Sequence, residues 1–233
     1  MHWFTRFVLI LFIAVVSHAQ VTETEHPYYA YPATFNKWDY SFALGLSFTK
    51  LPVHVVEDEI NTSPMLNIDF RLGLPKNTSM TLELQGNYFA NIGSLGFHWP
   101  LLNQKVIMSF GEKTSVWFGH LELDAIHLKS MGVLVSPYVI MGMKTRNFLI
   151  SSSFEIQNSY MKTQSEDVLL GEFYRPLSAY CLNFSIEQPL WNDHWVLIQI
   201  KLNYAKFFYQ SWLAYSTVDE YLLYPQFSFG FIL

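Results

Sequence analysis

From Asp39 to the C-terminus, large apolar side chains alternate with small or polar ones, and this alternation repeats in segment after segment. In residues 40–48 every even position is large and apolar, and every odd position is small. Successive side chains of a β-strand point to opposite faces, so a period of two predicts half-buried strands. The same pattern recurs in residues 65–74, 79–89, 148–157, 180–187, 196–204 and 227–233. The sequence therefore predicts an all-β chain.

The predicted strands are long, and their connections come in two sizes. Most strands reach ten or eleven residues, which is the length that a tilted strand needs to cross a bilayer. Short turns are predicted at residues 75–78 and 143–147, with a slightly longer one at 188–194. Longer polar connections are predicted at residues 49–64, 158–177 and 207–222. Short turns at one rim and long loops at the other are typical of membrane barrels.

Alternation alone leaves open which face meets which solvent, because a soluble barrel turns its apolar face inward and a membrane barrel turns it outward. Only 14% of the residues are charged while 51% are hydrophobic, and soluble domains carry about 25% charged residues. The polar face also mixes both signs of charge, which suits a narrow lumen held by ion pairs. The predicted lumen network is Asp69, Arg71, Glu83, Glu155, Glu187 and Lys201. Aromatic residues near strand ends predict an interfacial girdle, namely Tyr40, Trp99, Trp117, Tyr138, Trp195 and 207–209.

The N-terminus carries the pattern of a secretory signal peptide. Arg6 precedes the apolar run 7–16, and Ser17 and Ala19 are the small residues of a cleavage site. That run is too short to span a membrane, which needs roughly 18 apolar residues or more. We therefore expect cleavage after Ala19, export, and an irregular N-terminal segment at residues 20–38 on the periplasmic side.

The C-terminal strand, residues 224–233, alternates aromatic and small residues and ends in Leu233. In this strand and in its architecture from residue 39 to 233, the chain resembles the small outer-membrane β-barrel proteins of Gram-negative bacteria. A start at Gln20 after cleavage also resembles exported proteins of the Bacteroidota. The resemblance implies outer-membrane lipid as a partner and recognition of the last strand by the barrel-assembly machinery. Leu233 departs from the aromatic residue that usually ends such chains, and Pro225 stands at the strand start, where proline is tolerated.

The number of strands follows from parity. Both termini of such a barrel face the periplasm, so the number is even. Three strands precede residue 90 and five follow residue 131, and the stretch between them holds one clear strand at 115–125 and an ambiguous one at 95–110. Ten strands are predicted, with eight or twelve as alternatives. A barrel of eight to ten strands has a lumen filled mostly by side chains.

One cluster could carry chemistry. On a strand, His120, Glu122 and Asp124 share a face, and we expect that face to point into the lumen. Imidazole and carboxylates could bind a divalent metal or orient a general base, whereas the alternative is an ion-pair network without a ligand. Positions i and i+4 of a strand lie about 13 Å apart, so one metal cannot take all three. No metal site and no cofactor are predicted.

Three functions remain open on the sequence. The first is an outer-membrane barrel of structural, adhesive or narrow-pore transport type, whose long loops contact an extracellular partner of unknown kind. The second is a lipid-modifying acyl hydrolase or acyltransferase on the same barrel. The third is a soluble exported barrel that binds an apolar ligand. Net charge −5 argues against nucleic acid as a partner, because phosphate binding needs a basic surface. The single Cys181 excludes a disulfide framework.

Overall fold

The computed structural model describes residues 28–52, 62–103, 105–123, 126–145, 147–165, 168–191, 194–206 and 220–233. Ten antiparallel strands make a closed up-and-down barrel, in which each strand pairs with its neighbours in sequence and β1 pairs with β10. The strands are β1 (Tyr40–Lys50), β2 (Thr62–Gly73), β3 (Ser79–Gly86), β4 (Ala90–Asn103), β5 (Val106–Leu123), β6 (Ile126–Lys144), β7 (Leu149–Ser165), β8 (Val168–Trp191), β9 (His194–Ala205) and β10 (Leu222–Ile232). The predictions of an all-β barrel and of ten strands are confirmed.

The two rims of the barrel differ. Residues 74–78, 104–105, 145–148 and 192–193 connect strands at the rim where β1 begins, here called the turn rim. One of these connections contains a short 3₁₀ turn, Pro75–Asn77. At the opposite rim, here called the loop rim, residues 51–61 and 206–221 form the longest connections. Among the described residues, no helix is long and apolar enough to span a membrane.

The apolar face of the alternation points out of the barrel and the polar face points in. Leu44, Leu84, Ile200 and Phe229 are all more than 40% exposed on the outer surface. Small and polar side chains are buried inside, among them Ser41, Ser47, Asn67, Ser94, Ser115, Ser185 and Asn203. A soluble barrel would have the reverse arrangement, because its core must be apolar.

The prediction of a long loop at residues 158–177 is wrong. β7 continues to Ser165 and β8 begins at Val168, and the two strands stay paired from Ser159 opposite Arg175 to Thr163 opposite Gly171. The regular alternation of apolar and polar residues fades in this segment, so the sequence pattern does not predict a strand there. Backbone hydrogen bonds nevertheless continue the ladder beyond the apolar belt, with register shifts at Gln157/Ser159 and at Thr163/Gln164.

The predicted aromatic girdle is correct only in part. Tyr40 and Trp99 lie on the outer surface as expected. Trp117 and Trp195 are instead buried inside the barrel, and Tyr138 lines an internal cavity. The period of two shows which residues of a strand share a face, but it does not predict whether a large aromatic residue faces the lumen or the lipid. Residues 207–209 lie outside the described part of the chain.

Candidate functional site

The N-terminal segment fills the turn-rim end of the lumen, and the described part of it, from Tyr28 onward, belongs to the irregular segment predicted at residues 20–38. Tyr28, Tyr29, Tyr31 and Phe35 are buried and pack in one cluster with inward side chains of the strands. The rings of Tyr28 and Phe35 meet edge to face, 4.7 Å between centroids. We call residues 28–39 the plug.

Arg71 of β2 binds the carbonyl groups of the plug. Its guanidinium donates hydrogen bonds to the carbonyl oxygens of Tyr29 (3.1 Å), Tyr31 and Ala33 (2.6 Å). It also lies 2.6 Å from Nε2 of His98. The plug rings of Tyr28 and Phe35 flank the guanidinium, with centroids at 5.3 and 4.6 Å. Burying an arginine is costly unless its donors find acceptors, and here the plug backbone accepts from both terminal nitrogens, whereas Nε has no partner in the described part of the structure.

Glu187 of β8 binds the amide groups of the same segment. Its carboxylate accepts hydrogen bonds from the backbone N–H groups of Tyr29 (3.2 Å), Ala30 (2.5 Å) and Tyr31 (2.9 Å). Arg71 and Glu187 thus hold opposite polar groups of one short peptide, which fixes both its position and its direction.

Weaker contacts complete the plug. Ser109 and Ser151 donate hydroxyl hydrogen bonds to the carbonyl oxygens of Pro32 and Ala30. Burial raises the pKa of Tyr28 to about 12 and also raises the pKa of Tyr31. Both phenols therefore remain neutral at physiological pH, so neither tyrosine places a phenolate beside the carboxyl group of Glu187.

Above the plug lies a polar cavity of about 150 Å³. Lys113 of β5 forms an ion pair with Glu83 of β3, and Lys201 of β9 forms one with Glu155 of β7, each with 3.2 Å between nitrogen and oxygen. The hydroxyl of Tyr29 donates a hydrogen bond to Glu83 at 3.0 Å, so the tip of the plug reaches this layer.

Asp69 lines the same cavity, directly opposite Glu83 in the β2–β3 ladder. Two carboxylates facing each other across a ladder repel, and Lys113 offsets that repulsion by pairing with one of them. The structure thus brings together Asp69, Glu83, Glu155 and Lys201 around the cavity and uses Arg71 and Glu187 to bind the plug. Lys113 belongs to this network and was not foreseen, although it stands on the same face of β5 as Ser115.

An apolar layer closes the lumen toward the loop rim. Met65, Ile92, Trp117, Leu134 and Met161 are buried together inside the barrel. Gly132 makes room for the indole, because a Cβ atom at this position would lie 2.5 Å from Nε1 of Trp117. The lumen therefore has three levels: the plug, the charged cavity and the apolar layer.

The structure places His120 on the outer surface, not in the lumen. Along β5 the odd-numbered residues Lys113, Ser115 and Trp117 point inward, so the exposed His120 belongs to the outward face. The prediction that His120 faces the lumen is wrong, because Trp117 and not His120 lies on the inward face of β5. His120 lies opposite Lys129 of β6 in the ladder. The side chain of Glu122 and all of Asp124 lie outside the described part of the chain.

No known family matches this sequence, and no curated protein matches it. Among solved structures, the chain is similar to Neisserial surface protein A, with a TM-score of 0.41 and 9% identity over 83% of this chain and 95% of that one. It is also similar to the translocator domain of the autotransporter NalP from Neisseria meningitidis, with a TM-score of 0.37 and 8% identity over 83% of this chain and 86% of that one. For Ail of Yersinia pestis the TM-score is 0.26 and the sequence identity is 8%, over 85% of this chain and 100% of that one. Similarity at this level assigns no function.

Proposed function

We propose that this protein is an integral outer-membrane barrel with a lumen closed to solutes, which acts through its surface as a structural or adhesive component. The observation that carries the proposal is the polarity of the wall, with large apolar side chains outside and charged, hydrogen-bonded groups inside. Lipid is the solvent that such an outer surface fits. The turn rim then faces the periplasm and the loop rim faces the exterior.

The contents of the lumen argue for the structural or adhesive role over narrow-pore transport. A conducting barrel needs a continuous polar path, and here the charged cavity lies between the plug and the apolar layer around Trp117. Four charged groups of the cavity form two ion pairs, Lys113 with Glu83 and Lys201 with Glu155. Charges that line a transport path must instead exchange partners with the solute.

The connections 51–61 and 206–221 at the loop rim are the surfaces that would meet an extracellular partner. Export by a signal peptide cleaved after Ala19, and recognition of the last strand by the assembly machinery, belong to the same proposal. β10 supports the second point, because it is the strand that closes the barrel by pairing with β1.

The other two functions are less well supported. A soluble barrel that binds an apolar ligand would turn its apolar stripes inward, and they point outward. For a lipid-modifying enzyme, the residue directly opposite His120 is Lys129, so this pairing brings no hydroxyl nucleophile to the histidine.

Fractionation and conductance test the proposal together. We expect the protein in the outer membrane, with a shift in gel mobility between unboiled and boiled samples. In planar bilayers we expect no conductance steps, with a porin measured in parallel as the positive control. A soluble periplasmic protein without a mobility shift would contradict the membrane position. Stable ion-conducting steps would contradict the closed lumen and favour transport.

A further inference from the structure

Among the described residues that line the cavity or bind the plug, carboxylates outnumber cations by four to three. The carboxylates are Asp69, Glu83, Glu155 and Glu187, and the cations are Arg71, Lys113 and Lys201. His98 adds no charge, because its Nε2 lies 2.6 Å from the guanidinium of Arg71 and can only accept a hydrogen bond from it. One negative charge is therefore unmatched, and an unmatched charge away from bulk water is costly unless a counter-charge lies beside it.

Asp69 is the carboxylate whose charge is unmatched. Glu83 and Glu155 each form an ion pair, and Glu187 accepts three hydrogen bonds from the plug. No described group forms a hydrogen bond or an ion pair with Asp69. Lys113 attracts the carboxylates of both Asp69 and Glu83 but bonds to Glu83 alone. The Asp69 oxygens therefore face the cavity with their capacity to accept unused.

Thr81 of β3 offers a second oxygen at the same place. It stands opposite Arg71 while Glu83 stands opposite Asp69, so Thr81 is the diagonal neighbour of Asp69 in the ladder. Thr81 lines the cavity and is only 8% exposed, yet no described group forms a hydrogen bond with its hydroxyl. Gly96 makes room for that hydroxyl, because a Cβ atom there would lie 2.5 Å from Oγ1 of Thr81. A buried hydroxyl without a partner is costly, so this oxygen also indicates a ligand in the cavity.

We propose that the cavity binds one monovalent alkali cation at the carboxylate of Asp69 and the hydroxyl of Thr81. Carboxylate, hydroxyl and water oxygens are the ligands that hard cations prefer. A single positive charge makes the interior neutral, whereas a divalent ion would leave an excess of positive charge. The cavity of about 150 Å³ has room for the ion and for water molecules around it.

The ion is held inside the barrel and is not on a transport path. The plug closes the cavity toward the turn rim, and the apolar layer around Trp117 closes it toward the loop rim. The inference goes beyond the proposed function and does not depend on it, because the barrel's own residues enclose the site in lipid or in water.

The test measures whether the folded barrel takes up one sodium ion. The protein is unfolded in urea from phosphatidylcholine vesicles at increasing NaCl, and N-methylglucamine chloride keeps the ionic strength constant. Asp69→Asn removes the charge of the site and keeps the shape of the side chain, and Thr81→Val removes only the hydroxyl. Glu220→Gln is the matched control, because it also replaces a carboxylate by its amide but at an exposed position of the loop rim.

For the wild type and for Glu220→Gln, we expect the folding equilibrium constant to rise about tenfold for each tenfold increase in NaCl once the site fills, as one bound ion requires. Asp69→Asn should lose this dependence. Thr81→Val should need roughly tenfold more NaCl to show it, because the ion loses one oxygen ligand.

The proposal is overturned if the wild type does not respond to NaCl, or if Asp69→Asn or Thr81→Val responds as the wild type does. It is also overturned if the infrared spectrum of the wild type contains a protonated-carboxyl band that Asp69→Asn lacks, because a proton then neutralises Asp69. A wild type that does not fold into vesicles contradicts the membrane position alone, and the titration is then made in buffer.

Discussion

At the scale of single residues, a glycine in the barrel wall makes room for the largest buried side chain of the interior, that of Trp117. Gly132 of β6 leaves room for the indole of Trp117, since a Cβ atom would meet both Nε1 of Trp117 and the carbonyl oxygen of Tyr160 at 2.5 Å. Separations below 3 Å require one of these groups to move, and the backbone carbonyl cannot. The apolar layer near the loop rim therefore depends on this glycine.

Gly132→Ala is expected to lower the free energy of unfolding by about 1–3 kcal/mol, the usual cost of overpacking a filled interior. Gly93→Ala is the matched control, because a Cβ atom there meets only Cδ2 of Leu84 at an ordinary 3.6 Å. Both variants are unfolded in urea from lipid vesicles and followed by tryptophan fluorescence. Equal stability of the two variants would show that the Trp117 layer is not tightly packed.

At the scale of elements, the plug is held by the wall through its backbone. Arg71 binds its carbonyl groups and Glu187 binds its amide groups. Because these contacts involve main-chain atoms, their strength depends little on which side chains the plug carries. The wall residues are therefore the sensitive positions, and a single substitution at Glu187 leaves three buried N–H groups without an acceptor.

Glu187→Ala is expected to loosen the plug by about 1–3 kcal/mol, the cost of unsatisfied buried donors. The readout is thiol labelling of Ala30→Cys in a Cys181→Ser background, with Lys76→Cys at an exposed turn as the fully accessible reference. Ala30→Cys should react more slowly than this reference. Adding Glu187→Ala should raise its rate about tenfold, since 1.4 kcal/mol is a factor of ten. Labelling of Ala30→Cys as fast as the reference, before Glu187 is changed, would mean that the plug is not docked.

At the scale of the whole molecule, stability depends on an apolar outer surface that fits lipid and a polar inner surface that fits the charged lumen. Leu84 and Gln85 are neighbours on β3, but Leu84 is exposed on the outer surface and Gln85 lines the cavity. The same substitution at these two positions therefore compares the outer surface with the lumen on one and the same strand.

Leu84→Arg is expected to cost about 2–4 kcal/mol of folding free energy in lipid, the usual penalty for a lipid-facing arginine near the bilayer midplane. Gln85→Arg should cost less, because Asp69, Glu83 and Glu155 line the same cavity. Folding yield and urea stability are compared in phosphatidylcholine vesicles. A larger loss at Gln85 than at Leu84 would reverse the assignment of the two faces.

Much of the fold is already present in the sequence. The alternation in residues 40–48, 65–74 and 196–204 predicts the strands, and parity with the short turns predicts ten of them. These signals are local, because the period of two is a property of each strand's own backbone. The segment 158–177 escapes this prediction because its apolar and polar residues no longer alternate with a period of two.

The tertiary structure alone decides what fills the barrel. Alternation gives each strand two faces but does not say which of them points inward. The prediction therefore placed His120 in the lumen and Trp117 at the lipid interface, whereas the structure has the reverse. Arg71 and Glu187 were expected to face the lumen, but their partners lie more than 30 residues away in the plug and could not be read from spacing. Local periodicity thus determines the wall, whereas closure of the wall brings distant residues together and determines the plug, the paired charges and the apolar layer within it.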